Sequence, residues 1–217
     1  QNEFANLLCL YEERPDDDQS DEASFGYSKD VESSSKVIEE IREDYDHKVD
    51  AESFLRARLF DLVIGDWDRH DDQWRWASFK ENGQTIYRPI PRDRDQVFYK
   101  VDGILPNIIN NKPIDRRFQP FEEEIKDMPG MNFNGKYVDR AYLDELEWKD
   151  WEAMCDTLQA ALTDSVFHAG LALFPDTAMA LDGDRIFKTL QIHRAKLKEF
   201  AREYYEILAK EVDIVGT

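Results

Sequence analysis

The sequence predicts an α+β fold, mostly helical, with one small β-hairpin. Three stretches predict it. Phe54 to Ile64 is apolar on nearly every helical face, Trp74 to Ile90 alternates around Asn82-Gly83, and Ile186 to Glu211 repeats apolar residues at helical spacing. At 217 residues the chain has room for one sizeable core or two small ones, and the expectation is one domain plus extensions.

Composition narrows the function classes. Hydrophobic residues make up 41% and charged residues 35%, so the chain can fold but must expose a heavily charged surface. No apolar run approaches the roughly 20 residues of a membrane-spanning helix, so no transmembrane segment is expected in this chain. The 28 Lys and Arg against 47 Asp and Glu give a net charge of −19, which repels phosphate backbones and makes nucleic acid a poor partner. Cys9 and Cys155 are read as two buried free thiols rather than a pair. No basic segment followed by an apolar stretch opens the chain, so no signal peptide is read in it.

The elements follow in order. Residues 1–49 read as an acidic N-terminal extension: the first fifty residues hold 16 of the acids and only 5 of the bases. Within it, Glu12 to Glu22 reads as a solvated or disordered loop. Val37, Ile38 and Ile41 predict a short amphipathic helix capped by Ser34 or Ser35. Residues 50–217 form the expected domain, with 50–103 as its motif core and 104–217 as a helical remainder. Asp50 caps the buried helix and Gly65 stops it. Trp74 to Lys80 and Thr85 to Ile90 are the hairpin strands, joined at Glu81-Asn82-Gly83-Gln84. Residues 103–136, with four Pro and five Asn, read as a long irregular connection. One or two helices follow around Leu143 to Leu162; Asp182-Gly183-Asp184 is expected to interrupt the chain before the last helix. The basic residues Lys188, His193, Arg194, Lys196, Lys198 and Arg202 read as a solvated face of that helix. His168 is expected in or near the core and His47 at the surface. The tryptophans are expected as core anchors, except Trp67, which could wall a ligand pocket.

Two polar clusters carry the chemistry. Asp66-Trp67-Asp68-Arg69-His70-Asp71-Asp72-Gln73 precedes the hairpin and Pro91-Arg92-Asp93-Arg94-Asp95 follows it. Antiparallel pairing sets the start of the first strand beside the end of the second, so the clusters should be neighbours. Converging carboxylates with an amide oxygen are what Mg²⁺ or Mn²⁺ requires, and Asp68, Gln73, Asp93 and Asp95 are the candidates, partly neutralised by Arg69, Arg92 and Arg94. The competing reading is a set of Asp–Arg pairs that ties the hairpin to the helix. A calcium hand starting at Asp66 fails, because its sixth position is Asp71 rather than Gly and its twelfth is Ala77 rather than Glu.

The order of buried helix, Gly65-Asp66-Trp67-Asp68-Arg69-His70-Asp71-Asp72-Gln73, hairpin and Asp93-Arg94-Asp95 resembles the C-terminal lobe of atypical kinases. The closest likenesses are the secretory-pathway, CotH-like, HipA-like and phosphoinositide kinases. The resemblance is confined to about residues 50–103. It implies that Asp68 is the catalytic base, with Arg69 and His70 as structural supports of the catalytic loop. It also implies that Asp95 and Gln73 hold Mg²⁺ or Mn²⁺ on the phosphates of ATP, with Asp93 as the first acid of an Asp-x-Asp pair. The implied activity is metal-dependent phosphotransfer to an unknown acceptor. The wider segment also resembles domains of large Bacteroidota surface proteins that join a phosphoesterase-like region to an outer-membrane barrel. That likeness implies an extracytoplasmic or cell-envelope location, a cytoplasmic one being left open, and neighbouring domains of a larger protein as partners.

The chain departs from the kinase pattern in three ways. Phe25-Gly26-Tyr27 is too poor in glycine to cradle phosphate, Lys29, Lys36 and Lys48 lie in polar surroundings unlike a buried strand lysine, and Gln73 stands where Asn is usual. An N-terminal lobe is therefore expected to lie outside this chain or to be lost. Two other functions stay open: an inactive kinase-derived scaffold module, and a phosphoesterase with two bridged metals.

Overall fold

The computed structural model describes residues 18–100 and 118–210. The fold is α+β, with helices predominating and one four-stranded sheet. Strands β1 (Asp30–Ser33), β2 (His47–Val49), β3 (Trp74–Glu81) and β4 (Gln84–Pro91) lie in the order β1-β3-β4-β2. β3 and β4 are the expected hairpin, in register from Trp74 opposite Pro91 to Glu81 opposite Gln84. Asn82 and Gly83 close it with φ of 52° and 84°, the left-handed pair that matches the twist of the strands.

The sheet is larger than the hairpin the sequence announces. β1 runs antiparallel to β3 and β2 runs parallel to β4, and both come from the segment expected as an extension. Between them lies α1 (Ser34–Glu43). Its cap is Ser33, one residue before the expected position, because Ser34 is buried. The Ser34 hydroxyl accepts from the Trp76 indole at 3.0 Å and donates to the Asp71 carbonyl at 2.8 Å.

Helix α2 (Ala51–Ile64) is the buried helix of the motif core. Asp50 caps it, its carboxylate accepting from the Ser53 amide at 2.9 Å, and Gly65 ends it in left-handed backbone, φ 71°. Phe54 on α2 meets Trp74, Trp76 and Tyr142 with ring centroids 4.8, 5.3 and 5.7 Å apart. Each such aromatic pair adds about 0.5–1.5 kcal/mol beyond area burial, so this cluster fastens the inner face of the sheet to α2.

The C-terminal half supplies α3 (Met128–Met131), α4 (Lys136–Leu143), α5 (Trp148–Ala161), α6 (Asp164–Leu171) and α7 (Asp176–Leu208). α2 packs on α5 and α7. The expected break at Asp182-Gly183-Asp184 is absent: α7 is continuous through it. Asp182 pairs with Arg185 one turn on, and Gly183 is buried against Met179, so the glycine serves packing instead of a turn. Of the irregular connection, residues up to 117 lie outside the described residues, and 118–127 run without helix or strand before α3.

Two side chains differ from expectation. His193 is buried, 1% exposed, because its ring bridges the carbonyls of Val63 at 3.0 Å and Glu122 at 2.7 Å. His168 is exposed and stacks on Phe187. Trp67 is buried, as a core anchor is, with its ring edge-on to Tyr99 and Phe118. Cys155 is a free, buried thiol whose pKa burial pushes up to about 12; Cys9 lies outside the described residues. The lysines of α7 are solvated and paired, for instance Lys198 with Asp156 at 2.8 Å. Among the described residues no helix is long and apolar enough to cross a membrane.

Candidate functional site

The loop after α2 is held against the hairpin by one buried guanidinium. Arg69 donates from Nη1 to the Arg92 carbonyl at 2.6 Å and from Nη2 to the Gln73 carbonyl at 3.2 Å. These carbonyls flank the two ends of the hairpin, which are themselves joined by the Arg92 amide donating to the Gln73 carbonyl at 2.9 Å. The guanidinium also lies 4.4 Å from the Trp74 ring centroid and 3.2 Å from Asp61 Oδ2. The two polar clusters are thus side by side.

On this frame His70, Gln73 and Asp93 form a short chain of polar groups. Gln73 is buried, and its Nε2 lies 3.3 Å from His70 Nε2 and donates to Asp93 Oδ2 at 3.4 Å. His70 Nδ1 accepts from the Asp72 amide, which fixes the ring. Asp93 is exposed and holds a left-handed backbone, φ 48°, uncommon for a residue with a side chain and most frequent in tight functional turns.

Asp68 and Asp95 stand apart from that chain. Asp68 is half-buried, its amide donates to Asp66 Oδ1 at 3.3 Å, and its carboxylate accepts from Asn134 Nδ2 at 2.7 Å. Asp95 is exposed two residues beyond Asp93. Among the described residues no three His, Cys, Asp or Glu side chains converge closely enough to hold a cation. Arg94, one of the three arginines expected to neutralise part of the cluster's charge, reaches Asp61, with Nη2 2.8 Å from Oδ1.

Behind the loop lies a buried ionic network. Arg58 donates to both oxygens of Asp139, at 2.7 and 3.0 Å, to Asp61 at 3.0 Å and to Asn132 at 3.0 Å. The Tyr204 hydroxyl donates to Asp139, drawing α7 into the same network. Asp61 collects Arg58, Arg69 and Arg94. Burial opposes its ionisation, but Arg94, Arg69 and Arg58 outweigh burial and hold its carboxyl below the ordinary value. Asp66 has no such surplus: burial and the Asp61 charge push it up to about 7.

Sequence reasoning gave no part in the site to Arg58, Asp61, Asn134, Asp139 or Tyr204, although it placed Tyr204 in the buried stripe of the last helix, where it lies. A signal for the first two existed, since Arg58 and Asp61 fall at helical spacing from Phe54, Leu55 and Leu62 on the apolar side of α2, where a charge is buried and must be paired. Asp139 shares a helix face with Tyr142 and Leu143, which are buried.

A groove of about 510 Å³ runs beside the site, between α2 and the hairpin. It is lined by Arg56, Phe60, Phe79, Arg88, Ile90 and Arg94, and it does not include Asp68, Gln73 or Asp93. Comparison with protein-family models, curated proteins and solved structures finds no match to this chain.

Proposed function

We propose that the chain is a metal-dependent phosphotransferase that uses ATP, built on a kinase-like C-terminal lobe. The observation that carries this reading is the approach of Gln73 to Asp93, 3.4 Å apart across the base of the hairpin, with Asp68 on the same loop. A loop bearing a base and an amide, set beside an acid on a strained turn, is the arrangement phosphoryl transfer uses. Arg69 supports it by pinning both hairpin ends, and His70 by its contact with Gln73.

Gln73, Asp93 and Asp95 offer the oxygen donors that Mg²⁺ or Mn²⁺ prefers, and Asp93 and Asp95 are exposed to receive one. Such a cation would neutralise charge on the phosphates of ATP. Asp68 would take the proton of the acceptor hydroxyl.

A second reading is an inactive, kinase-derived module that joins neighbouring domains of a larger cell-envelope protein. Arg94 favours it: the side chain is committed to Asp61, which makes the acidic turn part of a structural brace.

Calorimetric titration with Mn²⁺–ATP separates the two. The phosphotransferase binds it at micromolar Kd, loses it in Asp93→Ala and Asp95→Ala, and keeps it in Asp68→Ala, which abolishes transfer. Equal binding by wild type and both metal-site variants removes the proposed roles of Asp93 and Asp95. A wild type that binds nothing leaves two readings, a lobe that needs its N-terminal partner lobe and a scaffold, and repeating the titration with the upstream sequence restored decides between them.

A further inference from the structure

We infer that Asn134 is the positioning residue of Asp68, an inference that rests on the phosphotransferase reading. In that reaction the acceptor proton passes to Asp68, the acceptor oxygen forms the new P–O bond, and the bond to the departing ADP oxygen breaks. A base works in this way only if its carboxylate is held in one orientation. Loop 65–73 does not supply the hold. Among the described residues, the hydrogen bond to the Asp68 carboxylate comes from Asn134 Nδ2, 2.7 Å from Oδ1, 66 positions along the chain. With Oδ1 so engaged, Oδ2 is the oxygen left to meet an acceptor.

The turn that carries Asn134 is built for this approach. A Cβ on Gly135 would lie 2.7 Å from Asp139 Oδ2, 3.0 Å from Arg58 Nη2 and 3.0 Å from the Arg69 carbonyl. Glycine therefore lets the turn rest directly on the backbone of the residue that follows Asp68. On the other side, Asn132 accepts from Arg58 at 3.0 Å and donates to the Met128 carbonyl at 3.1 Å. Asn134 is thus clamped between two fixed residues, and the buried network sets its position.

The test pairs a spectroscopic readout with kinetics on the whole chain. Asp68→Ala shifts the side-chain amide resonances of Asn134. Asn134→Ala lowers Mn²⁺–ATP turnover, read as ADP release, by about 100-fold. Its Kd for Mn²⁺–ATP stays within about twofold of wild type, because the loss is in kcat. Asn134→Asp keeps the shape but exchanges donor for acceptor and is at least as slow; Asn134→Ser keeps a donor and recovers part of the rate. Unmoved Asn134 amide signals in Asp68→Ala, or wild-type kcat in Asn134→Asp, overturn the assignment. A wild type inert toward Mn²⁺–ATP bears on the phosphotransferase reading and not on this contact, and the amide shift alone then decides whether Asn134 holds Asp68.

Discussion

Asp61 and Asp66 sit five residues apart, and their carboxyls shift in opposite directions. Three guanidiniums keep Asp61 ionised, whereas burial and the Asp61 charge raise Asp66 to about 7. An acid raised in the folded state binds more protons there than in the unfolded chain, so its contribution is full below the unfolded value and is lost as pH rises through about 7. Between pH 5 and pH 8 the wild type should therefore lose stability that Asp66→Asn keeps. The gap is about 5 °C in Tm for a chain of this size, read by thermal melts across that range. A parallel pH dependence in the variant would mean that Asp66 is ionised throughout. None of this was legible in the sequence, where the two residues look alike. The difference lies in which arginines reach them, and those come from residues 58, 69 and 94.

At the scale of elements, local signals carried far. The Asp50 cap, the Gly65 stop and the Asn82-Gly83 turn depend on neighbours a few residues away, and each stands where the sequence places it. β1 and β2 were illegible for the converse reason. Strands of four and three residues have no periodicity to read, and their partners lie in a hairpin that follows them in the chain. The same holds for Gly135, whose neighbours are an aspartate, an arginine and a carbonyl from three different elements. Gly135→Ala should cost about 1–3 kcal/mol, the scale of overpacking a filled site. Chemical denaturation reads that loss, and an unchanged midpoint would show that the turn can lift from loop 65–73 without strain. In the candidate site, the nearness of the two polar clusters followed from hairpin geometry, whereas the link between Asp68 and Asn134 did not, because long-range side-chain pairing leaves no local pattern.

Across the whole molecule, Arg58 joins α2 to α4 and, through Asp139, to α7. Removing a buried charge strands its partners, so Arg58→Met should cost about 3–5 kcal/mol, while Arg58→Met with Asp139→Leu should cost less than the single change. Equilibrium unfolding of both variants measures the difference, and additive losses would argue against a coupled pair. The sheet joins distant parts of the chain in another way. Its two long strands, β3 and β4, are interior, and the outermost strands are the short β1 and β2, which carry Asp30, Glu32 and Lys48. Long strands at the rim of a sheet offer a ladder of open amides and carbonyls on which a second molecule can build. Here the rims are brief and charged, so the segment before residue 50, besides completing the fold, protects the tryptophan-rich hairpin from pairing with another copy of itself.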